Sequence, residues 1–421
     1  MVARMTRPHL SGQSYVDSLS DAELIEHAAA RLSVPKQEAA DSFVLHAPLE
    51  LLARAELLRF ASPEGRSQIR AVIASLADEY DDAAASLMRQ PLPLPLTFEG
   101  GVDPAAAVDE LIKAITAGDL DRTDDAALLT AAVVETADLA GALAGFVLPK
   151  LAAAAHGSIF LSLLPRVAPT SSPARSMLRG LARELARQPN WELTWFHDAR
   201  WSTPSDQELL ANLLAPPSPG PLASNFIYPT MDLTERSGLC AALLSCVAPE
   251  PDAASLAATS RTLLRVAGWS MLQEPLTHAP YGWTHCLTMT QAALALAGIG
   301  ANAAPIAATY VLGFRSTLGV VSLDPAWEPD HPDHPATKDS TLNVICNGPP
   351  DDAAAAAWHA PRSERHLIRC ALADRAGAHH DAHLAKYALA CFDAADADPS
   401  AEPLYLAALA RLHAWWKHSS P

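Results

Sequence analysis

Apolar side chains recur along most of the chain at spacings of three and four, the period of a helix that buries one face. Ile69, Val72, Ile73 and Leu76 show it plainly. The pattern predicts helical segments over 36–60, 66–90, 104–118, 124–155, 174–188, 252–272, 284–297, 303–316, 364–374, 379–395 and 402–417. Start signals accompany two further helices. Ser20 with Glu23 has the form of a capping box opening a helix over 22–32, and Ser205 with Glu208 repeats it before a helix that stops at Pro216 and Pro217. Alternating runs are scarce, and the best strand candidates, 191–196 and 320–323, are short. An all-α fold follows, a large helical domain with room for a site between buried helices. Proline interrupts the pattern near 90–96, 216–221 and 325–350. No fixed-period repeat links the pieces, so residues 1–421 read as one domain with three Pro-rich breaks.

Composition sharpens this picture in two places. Between Glu274 and Arg315 there is no Asp, Glu, Lys or Arg. A membrane span would share that property, but His278, Pro280, His285, Gln291, Asn302 and Pro305 interrupt it. Two buried helices joined by a turn near 298–302 are expected instead, and no membrane association. The formal net charge of -17 and the lack of any Lys/Arg run argue against nucleic acid, whose binding begins with phosphate neutralisation. Six cysteines without a CxxC pair fit a reducing compartment, and the first residues lack an apolar signal region. A cytoplasmic protein is the expectation.

Standard catalytic motifs are missing: no GxGxxG after a strand, no GxxxxGK[ST], no GxSxG and no HExxH. Histidine stands out instead, with sixteen residues against six lysines. His46, His156, His285 and His383 each sit inside an apolar helical run. One such histidine is ordinarily a core residue bonded to a backbone carbonyl. Four of them in separated segments open a second reading, because neutral imidazole is a common metal ligand and helix bundles build metal sites from inward side chains. His379 and His380 precede the His383 helix, and either is an alternative to His383. His331 and His334 share a Pro-rich stretch with Asp330 and Asp333 and read as a solvated turn.

Lys386 is three residues beyond His383, hence on the same helix face. Its neighbours Leu384, Ala385, Tyr387, Ala388 and Leu389 are apolar or aromatic. Two escapes from burying an ammonium remain open. The side chain can snorkel to solvent, or burial can strip its proton. A neutral amine is nucleophilic and can take up carbon dioxide as a carbamate, an anionic oxygen donor for a metal.

At these positions the sequence resembles the questin oxidase-like family. The matching pieces are Leu45-His46-Ala47-Pro48-Leu49, His156-Gly157-Ser158-Ile159, Trp283-Thr284-His285-Cys286-Leu287-Thr288, and His383-Leu384-Ala385-Lys386 with Ala390-Cys391. Each is short, and their order and spacing from about 40 to 395 carry the resemblance. Members of the family are associated with oxygen-dependent opening of anthraquinone-type rings. Some are described as Baeyer–Villiger-type oxidases, and at least one is understood to be a non-heme iron dioxygenase. The resemblance implies Fe(II) held by His46, His156, His285, His383 and a carboxylated Lys386, the last two nearest the chemistry. It implies dioxygen and an aromatic, polyketide- or quinone-like small molecule as reactants, and leaves NADPH open as an electron source. Trp283, Tyr281 and Phe314 are expected to wall the substrate pocket, although ordinary core packing accounts for them equally well. Two rival functions stand beside this one: an NADPH-dependent Baeyer–Villiger-type oxidase without iron, and a non-catalytic helical binding protein for a hydrophobic ligand.

Overall fold

The computed structural model describes residues 10, 12–87, 102–167, 172–188, 191–202, 206–217, 226–300, 302–330 and 338–419. The break at 90–96, Ser205, and the turn with His331 and His334 lie outside them. Among the described residues the fold is all-α, as expected, with β pairing limited to three isolated bridges. The predicted strand at 191–196 is one bridge, Lys150 to Glu192, followed by a single 3-10 turn at Trp195–His197. Nor is 320–323 a strand. With no neighbouring strand to pair with, the Val320 N–H donates to the Glu274 carboxylate at 3.0 Å instead.

Local chemistry sets most helix starts. Ser20 and Glu23 form the reciprocal capping box opening Asp21–Leu32. The Asp41 carboxylate caps Ser42–Leu57, and Asp381 caps Ala382–Ala397, each accepting a backbone N–H of the first turn. The expected single segment over 124–155 divides into Leu120–Val133, Thr136–Val147 and a short turn at Ala152–Ala155. The extended Val134 makes the first division, and Pro149, which has no N–H to donate, marks the second. Inside the supposed irregular stretch 325–350 lies helix Lys338–Asn347, and Pro350–Trp358 follows it.

The uncharged stretch forms two buried helices, Thr284–Ala295 and Ala303–Leu318. Gly298 at φ 92° and Asn302 at φ 61° turn the chain between them, conformations those two residues tolerate best. The two charges bounding the stretch, Glu274 and Arg315, pair with each other at 1% and 0% exposure. Arg315 also donates to the carbonyls of Leu213 and Leu214. No helix among the described residues is long and apolar enough to cross a membrane. The buried apolar side chains form one cluster from Leu10 to Trp416, crossing the Pro-rich breaks.

Four helices start at or close to the four histidines of the apolar runs: Ser42–Leu57, Gly157–Val167, Thr284–Ala295 and Ala382–Ala397. The first packs on the second and fourth, and the third packs on the same two, so the four close a ring. Their contacts also fix their direction. His46 meets His156, and ten residues on in both helices Glu56 meets Arg166 at 2.8 Å. Arg166 binds Asp393 at 2.6 Å, ten residues past His383, and Asp393 also accepts from Gln291 at 3.2 Å. All four helices therefore run the same way. The histidine ends lie together, and a polar knot ties the bodies of all four further along, about 15 Å on in three of the helices and about 9 Å on in the His285 helix.

Candidate metal centre

Each histidine is delivered by a different local device. His46 stands in the second turn of its helix, and its Nδ1 lies 2.5 Å from the Ser42 carbonyl. His156 follows three consecutive alanines with left-handed backbone, Ala153 at φ 53°, Ala154 at 51° and Ala155 at 52°. Such residues cost about 1–2 kcal/mol each when they carry a Cβ, and strain of this kind collects at functional sites. The turn places the Ala153 carbonyl 3.0 Å from His156 Nδ1. Gly157 then lets the helix approach Val147, where a Cβ would come within 2.3 Å of a valine methyl. His285 follows a π-helical turn over Ala279–Trp283, whose Tyr281 carbonyl bonds its Nδ1. π-turns of this kind are frequent at functional sites. His383 sits just inside its helix, with the capping Asp381 carboxylate accepting both its backbone N–H, at 2.7 Å, and its ring Nδ1 at 2.8 Å.

These partners fix the tautomers. A carbonyl or carboxylate oxygen only accepts, so each Nδ1 carries the hydrogen and each Nε2 keeps a lone pair. The Nε2 atoms of His46, His156 and His285 are buried without a hydrogen-bond partner. The rings converge. Centroids are 4.7 Å apart for His46 and His156, 4.7 Å for His46 and His383, 4.9 Å for His285 and His383, and 5.5 Å for His156 and His285. One ring nitrogen each from His46, His285 and His383 lie within 4.8 Å of one another. Three atoms up to 4.8 Å apart fit within about 2.8 Å of a common point, against metal–nitrogen bonds of about 2.1 Å. The three need only sub-ångström closure to share an ion, and His156 stands beside them.

Lys386 completes the group. It is 4% exposed, and its Nζ has no hydrogen-bond partner. Burial pulls its pKa down to about 7, with Asp381 and Glu50 pulling weakly the other way. Burial, and then the Lys386 charge, depress His46 to about 3 and His285 to about 4. Burial holds His156 and His383 well below the ordinary histidine range. All four imidazoles are thus neutral near pH 7, the state in which they can donate to a cation. The N-terminal ends of four helices gather here, each carrying about half a positive charge. An anionic group among the rings is favoured by that field.

The structure brings His46, His156, His285, His383 and Lys386 together. It does not bring in His379 or His380. The His379 ring accepts the Asp381 N–H at 3.0 Å and packs on His380 and Trp416. The three expected wall residues fall in different settings. Tyr281 is 45% exposed, packs edge-on against His383 at 5.1 Å and reaches Asp381 with its hydroxyl at 3.3 Å. Trp283 is buried with an unpartnered indole N–H. Phe314 is fully buried in its helix. Sequence reasoning misses Glu50 and Arg54. Arg54, fully buried, donates from Nε to Glu50 at 2.8 Å and from Nη2 to the His379 carbonyl at 2.6 Å, tying the His46 helix to the segment before Asp381. Their signal is the i, i+4 spacing of opposite charges on a helix face that is otherwise apolar.

Comparison with protein-family models, with curated proteins and with solved structures finds no match to this chain. The functional reading therefore rests on the residues and their arrangement.

Proposed function

We propose that the protein is a non-heme iron oxygenase acting on an aromatic small molecule of the quinone or polyketide kind, with His46, His156, His285, His383 and carboxylated Lys386 as its metal ligands. One observation carries this reading. Three buried imidazole Nε2 atoms, of His46, His156 and His285, and the buried Lys386 amine have no hydrogen-bond partner, the four histidine rings are close neighbours, and nitrogens of His46, His285 and His383 lie within 4.8 Å of one another. Unsatisfied buried polar atoms are rare in native proteins because each costs about 1–3 kcal/mol. Four in one place mark a missing shared partner, and lone pairs on neutral imidazoles want a cation. The donor set fits: imidazoles suit iron, and a carbamate oxygen adds a hard anionic ligand.

The chain's own groups do the rest. Lys386, with its pKa near 7 through burial, holds a free lone pair in a substantial share of molecules at neutral pH. That lone pair attacks the carbon of carbon dioxide, the new N–C bond displaces a C=O electron pair onto oxygen, and nitrogen releases one proton to solvent. The anion so formed sits at the four helix N-terminal ends, where it is favoured. The four oxygen acceptors on the Nδ1–H groups keep each ring turned inward and raise its donor strength. Bound iron would supply one-electron reactivity toward dioxygen. Tyr281, half exposed against His383, offers an aromatic face at the rim for a planar substrate.

The test is metal analysis of protein purified without added metal and after anaerobic reconstitution with ferrous iron, with oxygen uptake measured alongside. About one iron per chain is expected, lost in Lys386→Ala and in His285→Ala. Negligible iron in both preparations, or full iron content and oxygen uptake in Lys386→Ala, would sink the assignment. Carbon-13 from bicarbonate is expected on Lys386.

A further inference from the structure

A charge inside a protein is ordinarily paired with an opposite charge. Lys36 and Arg183 are each 4% exposed, yet among the described residues neither has a carboxylate within ion-pair distance. Lys36 donates to the carbonyls of Asp81 and Ala84 at 3.3 and 3.2 Å and to the Ser86 hydroxyl at 3.5 Å, and its Nζ lies 4.4 Å from the centre of the Tyr80 ring. Arg183 donates from Nη1 to the Leu120 carbonyl at 3.1 Å, and its buried Nε has no hydrogen-bond partner. Asp81 and Asp82 attract Lys36, and Asp124 and Asp121 attract Arg183, from further off. Asp124 is already held through both oxygens by Arg179, at 2.8 and 2.6 Å, and Asp81 stands 3.4 Å from Arg31. Burial lowers the pKa of both cations.

Both cations line one cavity of ≈ 40 Å³, which the metal chemistry above does not use. Two carboxylates line it as well. Glu184 accepts the Ala40 N–H at 3.2 Å and stands 3.3 Å from Arg187, so its charge is already answered, and Glu38 is exposed. The remaining wall is largely apolar, with Val44, Pro48, Phe160, Met177 and Leu181. The shape of the free donor selects the occupant. Nε and Nη2 form one planar edge of a guanidinium, and that edge matches the two oxygens of a carboxylate. Arg179 and Arg265 turn the same edge to Asp124 and Asp398 in this protein. At Arg183 no side chain fills it. About 10–15 Å³ admits one water, so the cavity has room for about three, the space of a planar oxyanion with one or two carbons. We propose that this cavity is a binding site for such an anion, bicarbonate or a short carboxylate, held on the Nε–Nη2 edge of Arg183 and balanced by Lys36. The site needs neither iron nor the oxygenase reading.

The test is calorimetric titration of the full chain with bicarbonate, formate and acetate, at constant ionic strength in chloride. Saturable binding of one anion per chain is expected. Arg183→Met, which removes the charge and the fork, is expected to weaken it by about 10–100-fold, the scale of losing a charge-assisted pair. Arg183→Lys keeps the charge and loses only the fork, so it tests the site even if the methionine variant does not fold, and it is expected to bind severalfold more weakly than the wild type. Lys36→Met is expected to do the same. Crystals soaked in formate are expected to show the anion with both oxygens on the Arg183 edge. No saturable binding, equal affinity in wild type and Arg183→Lys, or ordered water alone on that edge would overturn the proposal. Tighter binding of bicarbonate supports the site and names dissolved inorganic carbon as its source, while tighter binding of formate or acetate supports it and names a metabolite carboxylate. Repeating the bicarbonate titration in Lys386→Ala separates the site from carbamate formation. Binding that persists there is expected, and binding lost there but kept in Arg183→Lys assigns the uptake to Lys386 and removes the anion site. Anion binding by protein that takes up no iron leaves the site standing while the oxygenase reading falls.

Discussion

Asp381 does three things with one carboxylate. It caps a helix, orients the His383 ring and accepts from Tyr281. Asparagine caps a helix as well as aspartate and keeps an oxygen for the ring, but removes the charge. Asp381→Asn is therefore expected to leave thermal stability nearly unchanged while weakening iron binding by about 10–100-fold, the usual effect of losing a group that supports a ligand. A metal titration beside a melting curve separates the two effects, and undiminished affinity would refute the orienting role. Acid sensitivity is argued at this scale too. His46 and His285 fall to about 3 and about 4 in the fold, against about 6.5 in an unfolded chain. Between those values the unfolded chain binds more protons, so the stability these residues contribute is complete above pH 6.5 and lost as pH falls toward 4 and 3. Metal-free protein is expected to lose stability steeply from pH 6.5 to 4.5, and His285→Phe to flatten that slope. Denaturant midpoints measured across the range decide it.

The His156 turn belongs to the next scale. Three alanines in left-handed backbone are invisible in a sequence, because alanine gives no sign of positive φ as Gly298 and Asn302 do. A run of alanine before His156 reads as helix, and the expected segment 124–155 absorbs it. The strain makes a prediction opposite to the usual one. Glycine inside a helix destabilises, but Ala154→Gly is expected to raise stability by about 0.5–1 kcal/mol, because the left-handed penalty exceeds glycine's extra entropy. Loss of stability in that variant would show that the turn carries no strain. Capped helix starts are legible because their signal is local: Ser20 with Glu23 needs only four residues. The two short apolar runs fail as strands for the opposite reason, since a strand is defined by a neighbour the sequence does not name. The knot of Glu56, Arg166, Gln291 and Asp393 is illegible for the same cause, its partners being set by the direction and packing of separate helices.

For the whole molecule, the ring of four co-directional helices explains why the histidines are legible as a set while their geometry is not. An imidazole inside an apolar run is conspicuous at any position. Which of His379, His380 and His383 turns inward depends on where Asp381 starts the helix. The core extends far beyond the cluster, from Leu10 to Trp416, so the fold does not depend on a metal at the proposed site. Removing iron with a chelator is expected to lower the melting temperature without unfolding the protein at 25 °C. A ligand present at a hundred times its dissociation constant contributes about 2.7 kcal/mol. Calorimetry with and without chelator reads this directly, and an unaltered transition would argue against any tightly held ion. The spread of the cluster along the chain has one more consequence. His46 and Lys386 stand 340 residues apart, so during synthesis no nascent fragment presents more than three of the five groups until His383 has been added. Under the proposed function, a fragment that stops before His383, however well its early helices pack, lacks two of the five proposed ligands and is expected to take up no iron.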